Sequence, residues 1–247
     1  MKTRKNKLSE KRELFRFKEF SLSDRQSAMK IGTDGVLLGA FASGFQAKRV
    51  LDIGTGCGLI SLMIAQKCMA EIDAVEIEKE AAKEALQNFS DSPWPHLFKV
   101  YNKPVQEFYP PDNITYDLIV SNPPFFENCI KSLDQNRIRA RHTETLSFDE
   151  LFFHSQRLMD AKGKLIVIFP YIALDVNDEK ASENDLFPYE RLIIKPTSAH
   201  PPGRIITIYS KNYVKEVKEK NLCIETEKRH KFTKKYINLT REFHPFL

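Results

Sequence analysis

Two clusters of residues combine types and spacings that suggest chemistry at an amine and recognition of a nucleoside. The first is Asn122-Pro123-Pro124-Phe125. Consecutive prolines remove two backbone donors and stiffen the chain, leaving carbonyl groups as rigidly presented acceptors. An exocyclic amine on a base or an amide is a poor nucleophile because its lone pair is delocalised. It becomes competent when acceptors hold its hydrogens, and the Asn122 side-chain oxygen and the Pro123 carbonyl can do this. Phe125 adds a flat ring face, where stacking of a base contributes ~1–3 kcal/mol. The second cluster is Asp52-Ile53-Gly54-Thr55-Gly56-Cys57-Gly58, with Glu76 lying 22 residues beyond Gly54. Such a glycine loop lets a ligand rest directly on main chain. A carboxylate at the following strand end can accept from both hydroxyls of a ribose. Loop and carboxylate together read as adenosine recognition, with GxGxG where a dinucleotide site would usually read GxGxxG.

The elements that must position these residues are legible as an alternation. Short β-branched runs occur at 49–54, 71–77, 98–102, 116–121, 164–170, 191–196 and 204–210. Helical patterns fit between them at Leu59–Lys67, Lys79–Phe89, Phe148–Met159 and roughly Ala173–Asn184. Near-continuous apolar strands alternating with helices predict an α/β fold, a mostly parallel sheet covered on both faces. The last two runs are separated only by TSAHPPG, too short for a crossover, so they should form an antiparallel hairpin. Seven of the nine glycines fall between residues 32 and 58, where main chain is expected to turn sharply or approach a ligand.

Seven strands closed by a hairpin resemble the class I S-adenosylmethionine (SAM) methyltransferase plan. The glycine loop is similar to the SAM-binding motif of that family, which implies that Asp52, Gly54, Gly56 and Gly58 hold the methionine end and Glu76 the ribose. Asn122–Phe125 is similar to the motif of amino methyltransferases, implying Asn122 at both donor and amine, with Pro123, Pro124 and Phe125 completing the catalytic loop. Adenine, guanine and glutamine amines are all compatible with that motif. The stretches Phe17–Phe20, Ala28–Ala40, DSPWP at 91–95, SNPPFF at 121–126, ARHTETL at 140–146 and FTKKYINLTREF at 232–243 resemble the bacterial valine-tRNA adenine-N6 methyltransferases over almost the whole chain. The resemblance implies N6-methylation of the adenosine 3′-adjacent to the anticodon, with tRNA as partner. Lys30, Thr33 and Asp34 would then close over SAM. The acidic residue often used against the SAM adenine is replaced around Lys103-Pro104-Val105-Gln106, which leaves Gln106 or backbone for that contact. Phe125 stands where the tRNA enzymes commonly have Tyr, and a guanine-N2 ribosomal RNA enzyme is the alternative. A glutamine-N5 protein methyltransferase fits less well, since residues 1–27 are too short for its usual helical domain.

Charge supports a polyanionic partner. The net charge of +5 divides into +6 over residues 1–18, +5 over 211–247 and −6 between them. Arg137, Arg139, Arg141 and His142 follow the catalytic loop and could meet tRNA phosphates; a solvated charged loop is the plain alternative. The chain divides into a basic N-terminal extension (1–27) and one catalytic domain (28–247). No apolar run reaches the ~20 residues of a membrane span, and the charged N-terminus lacks a signal-peptide centre, so a cytosolic protein is expected. Four scattered cysteines predict neither disulfides nor a metal site.

Overall fold

The alternating runs assemble into one eight-stranded sheet in a computed structural model that describes residues 14–111, 114–124, 146–228 and 230–245. In chain order the strands are β1 Phe15–Arg16, β2 Ser21–Leu22, β3 Arg49–Ile53, β4 Glu71–Glu76, β5 Phe98–Asn102, β6 Tyr116–Ser121, β7 Met159–Pro170, β8 Phe187–Lys195, β9 Arg204–Ser210 and β10 Lys218–Cys223. The helices are α1 Thr33–Ala42, α2 Leu59–Lys67, α3 Lys79–Ser90, α4 Phe148–Leu158, α5 Leu174–Glu183 and α6 Lys234–Thr240. β1 and β2 form a separate small hairpin, and the large sheet runs β10-β8-β9-β7-β6-β3-β4-β5. Every pairing in it is parallel except those of β9, which is antiparallel to both β7 and β8. The α/β fold and the expected hairpin are both present. Beyond the seven expected strands, β10 adds an eighth at the edge.

Alternation along the central strands divides the core into two layers. Val50, Leu118, Val120, Ile166 and Ile168 pack toward α1 and α2 with Leu37, Leu38, Ile60 and Ile64. Their neighbours Leu51, Ile119, Leu165, Val167 and Phe169 pack on the other face with Leu151 and Phe152 of α4. Burying both faces explains why these runs read as nearly continuous apolar sequence. A third cluster joins the first and last described segments: Phe17, Phe20 and Leu22 pack with Phe89 of α3 and with Phe243. The described part of the basic N-terminal segment is thus packed against the sheet's helices.

Thr33 and Asp34, expected in a glycine-rich turn over residues 30–34, instead begin helix α1, which runs on to Ala42. The reason is packing. A Cβ on Gly35 would lie 3.1 Å from Leu59 Cδ2, and one on Gly39 would lie 2.5 Å from Met63 Sδ, so the glycines let α1 lie close against α2. Among the described residues no helix is long and apolar enough to cross a membrane.

Candidate functional site

Parallel strands β3, β4, β5 and β6 end on one edge of the sheet, where a cleft of about 780 Å³ opens over their carboxyl ends. Such an edge collects ligand-binding loops because each strand must turn there into its following segment. Here the walls come from the glycine loop, the end of β4, residues 103–107, the end of β6 and residues 28–32.

The glycine loop is built by left-handed backbone at Gly54 (φ 73°), Gly56 (φ 56°) and Gly58 (φ 85°). Gly54 N and Thr55 N both donate to Val75 O, tying the loop to β4 at 2.8 and 3.1 Å. A Cβ at Gly54 would meet nothing within 4 Å, so the main chain is bare where it borders the cleft. Gly58 serves packing: a Cβ there would sit 2.4 Å from Phe89 Cε1, and the residue does not line the cleft.

Asp52, expected against the cofactor, is fully buried and absent from the cleft wall. Its Oδ2 accepts from Thr55 Oγ1 and Ser61 Oγ, each at 2.7 Å, so the carboxylate braces the loop onto α2 from behind. Burial pushes its pKa up to about 6, against the lowering by the Ser61 and Thr55 bonds, with the charge of Glu76 adding to the rise. Glu76 does line the cleft. One of its oxygens accepts from Gly56 N (2.8 Å) and the other from Glu78 N (2.9 Å). A carboxylate has about four acceptor positions, so two remain for a ligand's hydroxyls.

Gln106 lines the cleft and donates from Nε2 to Glu150 Oε1 at 3.0 Å. Glu150, missed in the sequence, also lines the cleft and closes the N-terminal cap of α4 by accepting from Ser147 N and Oγ. Burial raises its carboxyl, but the Gln106 and Ser147 bonds outweigh it and hold the group below its ordinary range. The spacing Ser147-x-x-Glu150 is a capping-box pattern and was the available signal.

The Lys30–Asp34 stretch divides. Lys30 lines the cleft, but its ammonium donates to the carbonyls of Asp24 (2.6 Å) and Arg25 (2.9 Å) and so holds its own loop. Thr33 and Asp34 do not line the cleft: they form the first turn of α1, and Asp34 Oδ2 accepts from Arg204 Nε at 2.8 Å. That ion pair spans 170 positions and gives Asp34 a partner other than a ligand.

At the end of β6, Ser121 Oγ donates to Ile53 O at 2.8 Å, fixing the start of the catalytic loop beside β3. Asn122, Pro123 and Pro124 line the cleft. The Asn122 Oδ1 atom is buried and has no hydrogen-bond partner among the described residues, while Nδ2 lies 3.2 Å from Met29 Sδ. An orphaned acceptor in a cleft is an unfulfilled hydrogen bond that a ligand can satisfy. Phe125, Arg137, Arg139, Arg141 and His142 lie outside the described residues. No group of three or more potential metal ligands occurs among the described residues.

The arrangement suits a nucleoside-bearing ligand beside an amine. The bare Gly54 backbone offers a cradle that a Cβ would fill, Glu76 keeps acceptor capacity for two hydroxyls, and Asn122 keeps an oxygen for an amine. Residues 26–170 match the Methyltransferase small domain family. The chain is 38% identical over 230 residues to a tRNA1(Val) (adenine(37)-N6)-methyltransferase of Parabacteroides distasonis, covering 93% of this chain and 97% of that one. It is 40% identical over 232 residues to the protein of the same description from Bacteroides fragilis, with coverage of 93% and 97%. Among solved structures, a predicted O-methyltransferase from Agrobacterium tumefaciens superposes with a TM-score of 0.63 at 16% identity, over 85% of this chain and 96% of that one. At that identity the likeness is one of fold.

Proposed function

From a chain that belongs to the Methyltransferase small domain family, and within it to the tRNA1(Val) (adenine(37)-N6)-methyltransferases, we propose a SAM-dependent enzyme that methylates N6 of the adenosine 3′-adjacent to the anticodon of a valine tRNA. When bound, SAM supplies an electrophilic methyl group. The Gly54–Gly56 backbone and Glu76 bind the donor, with Gln106 beside its base. Asn122 Oδ1 and the Pro123 carbonyl accept the two hydrogens of the adenine amine, which localises the nitrogen lone pair and aims it along the line of transfer. Because attack creates a cation on a nitrogen conjugated to the ring, far more acidic than an ordinary alkylammonium, its proton can leave afterwards to water without a dedicated strong base. Phe125 offers the base a stacking face, and Arg137, Arg139, Arg141 and His142 with the basic ends meet phosphates. A base in a loop can be turned out at lower cost than one in a stem.

The observation that carries this chemistry is the buried Asn122 Oδ1 at the cleft, without a hydrogen-bond partner among the described residues, next to a glycine loop able to take the donor. The test is incubation with labelled SAM and, in parallel, total tRNA, ribosomal RNA and a release factor, followed by nucleoside and amino-acid analysis. N6-methyladenosine in valine tRNA is expected. Label in N2-methylguanosine of ribosomal RNA, or in methylated glutamine, would replace the proposal with one of its alternatives.

A further inference from the structure

We infer that Met29 is a positioning residue: its thioether sulfur fixes which end of the Asn122 carboxamide faces the reacting amine. This rests on the reading of Asn122 just given. A carboxamide is two-ended, with a donor NH2 and an acceptor oxygen that exchange places on a half-turn about the terminal bond. Only the oxygen can draw a hydrogen away from an amine, so the wrong rotamer would present a donor to a donor. A thioether accepts weakly and cannot donate. Met29 Sδ, 3.2 Å from Nδ2, therefore favours one rotamer only, and that rotamer leaves Oδ1 buried, available and without a partner among the described residues. Without such a contact the lone Oδ1 would favour rotation toward water, because an unmet buried acceptor is costly.

Met29 is not placed there by core packing, since 41% of its surface is exposed. Its backbone is pinned on both sides. Glu84 of α3, itself buried, accepts from Arg25 N, Gln26 N and Ser27 N as well as from the Ser23 and Ser27 hydroxyls. Asp24 Oδ2 accepts from Ile31 N at 2.9 Å and Lys30 bonds two carbonyls at the start of the loop, closing residues 24–31 on themselves. One helical turn beyond Glu84, Asn88 accepts from Ser23 N and donates both to Ser23 O and to Cys57 O of the glycine loop. The donor loop and the segment carrying Met29 thus share one anchor on α3.

A double-mutant cycle separates orientation from shape. Met29→Leu conserves apolar volume and removes the acceptor, and at an exposed site it spares the fold. With enzyme and SAM saturating over tRNA, the single-turnover rate should fall about three- to tenfold, the worth of one modest hydrogen bond, while SAM affinity by calorimetry and tRNA affinity stay level. In an Asn122→Asp background the same substitution should cost nothing further, because a carboxylate has two equivalent oxygens and no wrong end. Equal losses in both backgrounds, or no loss in either, would overturn the inference. A readout independent of activity is the Asn122 side-chain NH2 resonance pair in a nitrogen-15 spectrum, which should move in Met29→Leu. An unmoved pair overturns the inference even if Asn122→Asp proves too slow to time. Nucleoside analysis of the wild-type product comes first; a different methylated base would sink the proposed substrate while leaving the cycle measurable on that base.

Discussion

At Asn122 the described residues supply an acceptor and its orientation but nothing that bonds it, so its contribution is expected in the transition state rather than in binding. Asn122→Ala should leave SAM and tRNA affinities nearly intact and lower the single-turnover rate on the order of 100-fold or more, as removal of one preorganised hydrogen-bonding group does elsewhere. Asn122→Asp should be less damaging, since it still accepts; an Ala variant as fast as wild type would remove the residue from the mechanism. Asp52 makes a different prediction. Burial pushes its carboxyl up to about 6, above the unfolded value, so its contribution to stability is fullest below about pH 4 and is lost as pH rises through about 6. Urea unfolding of wild type and Asp52→Asn across that window should show the wild-type advantage shrinking by as much as ~3 kcal/mol, since each tenfold difference in proton affinity between folded and unfolded chain is worth ~1.4 kcal/mol. A constant difference would mean that Asp52 stays ionised throughout.

Among the elements, the glycine loop separates stability from binding within five residues. Gly58→Ala would place a methyl in left-handed backbone and 2.4 Å from Phe89, whose ring is itself stacked on Phe98 at 4.1 Å and cannot retreat. A loss of about 2–4 kcal/mol in urea is expected from the overpacking and the backbone together. Gly54→Ala meets no neighbour, so in urea it should lose only the ~1–2 kcal/mol of a side chain in left-handed backbone, and it should in addition weaken SAM binding by occupying the cradle; calorimetry paired with denaturation distinguishes the two. The central strands were legible in sequence because both their faces are apolar, and α3 because Ala81, Ala82, Ala85 and Phe89 recur at helical spacing and form its buried face. Helix α1 was not, because Thr33–Ala42 is apolar on nearly every side and carries two glycines whose purpose is contact with Leu59 and Met63, a relation only the packed pair reveals. Strand β10 reads KEKNLC, without alternation, because it lies at the sheet edge with most of its residues in solvent. The glycine loop and the Asn122 motif were legible as local spacing. The partners of Asp34 and Gln106 were not, since Arg204 and Glu150 reach them from elsewhere in the chain.

Over the whole molecule, basic ends flank an acidic centre. If both ends and the Arg137–His142 stretch grip tRNA, trimming residues 1–12 or neutralising Arg137, Arg139 and Arg141 should flatten the salt dependence of binding, by roughly 0.7–0.9 in slope for each phosphate that is no longer neutralised. SAM affinity should not change, and an undiminished slope in both variants would assign these charges to solubility. The cluster in which Phe17 and Phe20 meet Phe243 is further tied by Lys18 N donating to Phe243 O at 2.9 Å and by Gln66 and Lys67 of α2 bonding Glu242. Start and finish of the described chain therefore share one location on the surface. A linker of about six residues, reaching ~20 Å, could join residue 245 to residue 14, and new ends could be opened in the exposed turn at 215–216 between β9 and β10. Such a circular permutant should keep its SAM affinity, making the order in which the elements are synthesised separable from the site they build.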